Sequence, residues 1–125
     1  MNLNQVTVAV TDVPRAIAFY QCLGLKLIVE NLPDYARFVC PDGQASFSLS
    51  REAQVVPGSM LVYFECGELD AEVARLQAEG LSFEQLPQDQ PWLWREAYLR
   101  DPDGNRICLY RAGENRLNPP WRLPD

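Results

Sequence analysis

Glu65 and Glu96 are two carboxylates that strand alternation sets on faces rich in aromatic side chains. A carboxylate pair can divide the work of general acid and base when burial lifts one pKa above the other. Its second use is electrostatic. Trp92, Trp94, Tyr63, Tyr98 and Tyr110 supply flat rings, and the two acids would draw a planar cation towards them. Glu65 has a plainer reading as the ion-pair partner of Arg106 or Arg95. Trp92 divides similarly between a binding cleft and interface or core packing. Cys108 stands open to three readings: passive filler, ligand contact or reactive thiol. The chain has no histidine, and Lys26 is its one lysine, so nothing evident would lower a thiol pKa. The missing histidine also removes Ser-His-Asp and Cys-His nucleophile pairs, imidazole acid–base catalysis and every His-ligated metal site. All-carboxylate and all-thiolate sites survive that exclusion. Pro41-Asp42-Gly43 and Asp101-Pro102-Asp103-Gly104 read as hairpin turns rather than phosphate-binding loops.

A chain of 125 residues has room for one domain, or for two small halves sharing a core. An apolar fraction of 47% favours neither disorder nor a membrane protein. The net charge of −6 argues against a sequence-independent grip on nucleic acid. No basic stretch with an apolar run opens the chain, and no run is long enough to span a bilayer, so a cytoplasmic protein with no membrane partner is expected. Cys22, Cys40, Cys66 and Cys108 form no C-x-x-C pair, which leaves a structural zinc site weak and favours free, mostly buried thiols.

The elements that must position these residues come twice. Gln5 to Val10 alternates as a strand. Thr11-Asp12 with Pro14 starts a helix carrying Val13, Ala16, Ile17 and Tyr20, and Gly24 ends it. Strands follow at Leu25 to Val29, Tyr35 to Cys40 and Ala45 to Ser50. The order starts again with a strand from Met60 to Cys66, a helix with Leu69, Val73 and Leu76, and Gly80 at its end. Further strands are predicted at Leu81 to Leu86, Leu93 to Arg100 and Asn105 to Tyr110, with Pro87 to Pro91 as a loop. This gives an α+β domain over residues 1–125, with βαβββ modules at 3–50 and 59–111, a linker at 51–58 and a Pro-rich tail at 112–125. The tail carries Trp121, and docking of that indole on the body or on a second subunit is expected over fraying.

Two βαβββ units resemble the vicinal oxygen chelate superfamily of glyoxalases, bleomycin-resistance proteins and dioxygenases. The stretches that carry the resemblance are Val6 to Asp12 leading into Ala18-Phe19-Tyr20, then Leu23-Gly24-Leu25, Tyr63 to Cys66 with Leu69-Asp70-Ala71, and Asp101 to Asn105. The resemblance implies that the modules curl their sheets into a half-barrel cup with the helices outside. Gln90 to Asn105 is similar to the matching segment of bleomycin-resistance proteins, with Trp94 standing where that segment usually has glycine.

Metal-dependent members place ligands at positions that correspond to Gln5, Ser48, Leu61 and Cys108 here. Leu61 has no donor, Gln5 and Ser48 are neutral, and Cys108 is one soft ligand, so no metal or other cofactor is expected, nor metal-dependent glyoxalase or dioxygenase activity. Strand parity turns Gln5, Thr7, Ala9, Ser46, Ser48 and Ser50 into the cup, with Leu61, Tyr63, Glu65, Trp94, Glu96, Tyr98, Arg106, Cys108 and Tyr110. The expected function is sequestration of a cationic or aromatic small molecule, an antibiotic of the bleomycin type being one candidate, by a homodimer with shared clefts. The alternatives are a metal-independent enzyme using Glu65, Glu96 or Cys108, and an interaction module whose cup is filled by its own tail or a partner.

Overall fold

The computed structural model describes residues 1–125. The chain divides into two compact units, Met1–Met60 with Asp101–Asn105, and Leu61–Arg100 with Arg106–Asp125. The first unit holds β1 (Gln5–Val10), α1 (Val13–Cys22), β2 (Lys26–Asn31), β3 (Tyr35–Val39) and β4 (Ser46–Arg51). Its sheet runs β1-β4-β3-β2, with β1 parallel to β4 and the other pairs antiparallel. The second unit repeats this plan with β5 (Leu61–Glu65), α2 (Leu69–Ala78), β6 (Gln85–Asp89), β7 (Arg95–Arg100) and β8 (Arg106–Arg111), in the order β5-β8-β7-β6.

In α1, Asp12 caps the helix by accepting from the Arg15 N–H at 3.0 Å, and Pro14 fits a first turn that needs no amide donor. The chain leaves α1 through Gly24 at φ +103° and α2 through Gly80 at φ +98°, a backbone region that side chains disfavour. Val13, Ile17 and Tyr20 of α1 recur as Leu69, Val73 and Leu76 of α2, all buried. Each side chain of this kind contributes roughly 1.5–3 kcal/mol when withdrawn from water. Under α1 the core is Val8, Val10, Phe38, Phe47 and Leu49, with the Tyr20 and Phe47 rings 4.7 Å apart. Under α2 the sheet contributes Ala97, Leu99, Ile107 and Leu109. One face of each sheet is therefore committed to its helix, as the alternation predicts.

The turn Asp101–Asn105 completes the first unit. The Tyr20 hydroxyl donates to Asp101 Oδ2 at 2.7 Å, the Asp103 and Asn105 N–H groups donate to Asp101 Oδ1, and Asn105 Nδ2 donates to the Ala9 carbonyl at 2.9 Å. Thr11 adds its N–H and hydroxyl to Asp103 Oδ1.

Three elements differ from the sequence reading. The sixth strand lies at Gln85–Asp89 rather than 81–86, and so contains Pro87, a residue that the sequence pattern places in a loop. It is the edge strand, and its pairing with β7 is interrupted between Gln85 and Gln88, so a residue without an N–H costs no ladder bond there. The seventh strand begins at Arg95, not Leu93, because Leu93 has φ +68° and lies in a turn closed by Leu93 N–H to Gln90 O and Gln90 N–H to Trp94 O. The resemblance had put the glycine position at Trp94, whereas the left-handed backbone that favours glycine is at Leu93. The tail forms a 3-10 helix at Gly113–Arg116 and then runs exposed. Trp121 is 56% exposed and so is not docked on its own chain, since beyond Arg116 the tail's side-chain bonds are local, Arg122 joining Asn118 and Asp125.

Candidate functional site

On the first unit, the sheet face turned away from α1 is a network of polar groups that includes one cation, Arg37. The register sets Gln5 beside Ser46, Thr7 beside Ser48, and Arg37 beside Ser48 on its other side. Gln5 Nε2 donates to Ser48 Oγ at 2.6 Å, Ser46 Oγ donates to Gln5 Oε1, and the Tyr35 hydroxyl shares a 2.7 Å hydrogen bond with Ser48 Oγ. Arg37 Nε donates to the Tyr35 oxygen at 2.9 Å. The bonds from Ser48 and Arg37 favour the phenolate, so the Tyr35 pKa is lowered. Ser48 is fully buried and saturated by its neighbours.

The second unit presents rings and acids on the matching face. Rows across the sheet join Tyr63, Cys108 and Tyr98, and then Glu65, Tyr110 and Glu96. Trp94 stacks on Tyr110 at 4.7 Å, Tyr63 meets both edge-on, and the Arg106 guanidinium lies 5.5 Å from the Tyr98 ring centre. Cys108, Tyr110 and Ala112 form a buried cluster with Leu61, Trp94 and Tyr98 packed against it.

Glu96 is 2% exposed and accepts from Trp92 Nε1 at 3.1 Å and from the Tyr98 hydroxyl at 2.9 Å. It fixes two rings and is not presented to solvent as a cation trap. Burial, then the bond to Glu96, pushes the Tyr98 pKa up. Glu65 Oε2 accepts from the N–H groups of Ala112 and Gly113 at 2.8 and 2.9 Å, and its other oxygen lies 4.0 Å from Arg116. The expected partners Arg106 and Arg95 are not used; Arg95 pairs with Asp70 and Asp89. Both carboxylates on which the cationic ligand rested are thus engaged inside the chain. Burial, followed by the nearby Glu96 charge, pushes the Cys108 thiol up to about 12, which keeps it protonated at neutral pH. The tail meets this region through Trp94 Nε1, which donates to the Asn115 carbonyl at 3.3 Å.

Of the sequence-derived site residues, Tyr63, Trp94, Tyr98, Cys108 and Tyr110 come together, with Glu96 accepting from Tyr98 and Trp92 joined to Glu96. Ser48 sits in the first unit's network. Tyr35 and Arg37 are what the reading missed, although the alternation of Tyr35, Arg37 and Val39 would have placed them on Ser48's face. Sequence alone gave no sign of a cleft of about 480 Å³ where β7 begins and β8 ends, lined by Asp89, Gln90, Leu93, Trp94, Arg95, Arg111, Ala112, Gly113 and Asn115.

The residues at the superfamily's metal positions do not fit a divalent ion. In the first unit the Gln5 amide and Ser48 hydroxyl are bonded to each other, and in the second Leu61 is hydrocarbon and Cys108 a protonated thiol. No three Cys, Asp or Glu side chains converge in a geometry that could hold a metal ion.

Comparison with known proteins agrees with this architecture. Residues 2–109 match the family model described as Glyoxalase/Bleomycin resistance protein/Dioxygenase superfamily. An uncharacterized protein of Bacillus subtilis (strain 168), YraH, is 30% identical over 89% of this chain and 98% of its own length. The crystal structure of TnmS3, an antibiotic binding protein from Streptomyces sp. CB03234, matches with a TM-score of 0.77 at 27% identity over 90% of this chain and 96% of that one. A bleomycin-binding protein complexed with bleomycin shares the fold, with a TM-score of 0.72 at 18% identity over 89% of this chain and 98% of that one. No helix is long and apolar enough to cross a membrane.

Proposed function

The chain belongs to the glyoxalase/bleomycin resistance protein/dioxygenase superfamily, and from that footing we propose that it binds and sequesters a small planar molecule without using a metal. The observation that carries the reading is the fixed indole of Trp92. Glu96 holds its Nε1 while 45% of the residue stays exposed, so a flat apolar surface is presented in one orientation before any ligand arrives. Preorganised rings lose little entropy on binding, which suits them to stacking on an aromatic ligand. Tyr63, 46% exposed, offers a second ring on the same unit. The likeness to an antibiotic binding protein supports an antibiotic as the ligand class. A positive charge on the ligand draws no support from Glu65 or Glu96, which are already engaged. The same engagement, with the protonated Cys108, weighs against the enzyme reading. The proposal includes a cytoplasmic homodimer: four cysteines held as thiols suit a reducing compartment, and both sheets end in open edges that a second copy could cover.

Titration with bleomycin and a panel of planar antibiotics, read by tryptophan fluorescence, tests it. Saturable quenching is expected, with Trp92→Ala weakening the best ligand by about tenfold or more, as for an aromatic anchor. A folded protein that responds to no member of the panel would overturn the reading. Sedimentation at micromolar concentration checks the dimer.

A further inference from the structure

The cleft of about 480 Å³ at the ends of β7 and β8 lies within the size range of small-molecule sites, and one of its charges is unanswered. Arg95 and Arg111 are directly opposed in the β7–β8 register, an arrangement of like charges that is unfavourable unless each is neutralised. Arg95 is neutralised: Nε donates to Asp70 at 3.0 Å and Nη1 to Asp89 at 3.1 Å. Asp89 also lines the cleft and shares the single charge of Arg95 with Asp70, so both carboxylates are held by Arg95 rather than by Arg111. Arg111 forms no ion pair and no side-chain hydrogen bond. The remaining lining is apolar or amide. Trp94 and the 49% exposed Leu93 form the wall and lip, and Gln90 and Asn115 contribute carboxamides.

We propose that this cleft is a binding site for a small aromatic carboxylate, with Arg111 receiving the carboxylate and Trp94 and Leu93 the ring. A guanidinium presents paired N–H donors at the spacing of a carboxylate's two oxygens. Arg111 is the lining cation with no carboxylate bonded to it, and with Asp89 on the same wall a monoanion is repelled less than a phosphate dianion, which favours the carboxylate. The left-handed Leu93 supports the assignment, because a residue held off its preferred backbone is most often retained where a neighbouring surface must be fixed. The site is distinct from the stacking surface of Trp92 and does not depend on the ligand proposed for it.

The test uses the intact protein with 2-naphthoate, its neutral amide 2-naphthamide, and the cation 2-naphthylmethylammonium, followed by backbone amide NMR. Naphthoate should bind saturably and shift the amides of residues 90–95 and 111–115, with the amide weaker and the ammonium weakest. Arg111→Gln, an exposed change, should weaken naphthoate by about tenfold, the factor supplied by a charge-assisted hydrogen bond, and leave naphthamide unchanged. Trp92→Ala should leave the naphthoate response in place, which separates failure here from failure of the antibiotic reading. The proposal is overturned if naphthoate does not bind, if the ammonium binds as well, if Arg111→Gln binds naphthoate normally, or if the shifts fall elsewhere.

Discussion

Set beside one another, the free faces of the two sheets show what a shared topology leaves open. In the first unit, Gln5, Tyr35, Ser46 and Ser48 bond to one another, and Arg37 is the charged group that joins them. In the second, the same kind of face carries Tyr63, Trp94, Tyr98 and Tyr110, and a buried carboxylate anchors two rings. The helix-side faces are alike because both must fill a core with apolar side chains at every second position. The other faces are under no such requirement and have diverged: one satisfies small polar groups locally, the other concentrates aromatic area and depends on one acid to hold it in place.

The contrast can be broken most severely at Cys108, the thiol enclosed by the aromatic face. With its pKa pushed from 9.0 to about 12, the thiolate population near neutral pH should be about a thousandfold below that of the unfolded chain. Iodoacetamide should therefore label Cys108 about a thousandfold faster in denaturant than in the native protein; comparable rates would show an open face. The raised folded value also fixes the sign of a pH effect. The contribution to stability is full below about pH 9 and is lost as pH rises through about 12, so Cys108→Ala should flatten part of the alkaline decline in urea midpoints.

Next in size is Glu96→Ala. It leaves the half-buried Tyr98 hydroxyl and the Trp92 N–H without their shared acceptor and empties the space of a buried carboxylate, and should cost about 3 kcal/mol by chemical denaturation. Ser48→Ala makes the corresponding change on the first unit. Gln5 and Tyr35 can turn to water, and Tyr35 keeps Arg37, so about 1 kcal/mol is expected. Equal losses at the two positions would erase the distinction between the faces. Smallest is Trp121→Ala, expected within about 0.5 kcal/mol of wild type because the indole is largely in solvent; a larger loss in the melting profile would return the tail to the docked arrangement.

What could be read from the sequence follows the same division. Both helices, their glycine ends and six of the eight strands were legible, because one-sided burial writes a period into the chain. The sixth strand was not, since Pro87 argues against any strand unless an interrupted edge is already known. Which face of its own sheet each residue takes was mostly legible from parity, whereas the state of the acids was not. Glu65 is held by backbone N–H groups of Ala112 and Gly113, and no side-chain pattern announces a backbone donor from a distant segment. Leu93 was hidden for a related reason: a left-handed residue that is not glycine leaves no compositional mark.

The turn at Asp101–Asn105 also bears on how the protein is made. A nascent chain that has emerged only as far as Met60 has every strand of its first sheet, yet lacks the carboxylate that accepts from Tyr20 and the amide that reaches the Ala9 carbonyl. At translation rates of about 5–20 residues per second, that vacancy lasts for seconds. The amino-terminal half must wait on the ribosome for residues synthesised long after it, so its final closure is set by the order of synthesis.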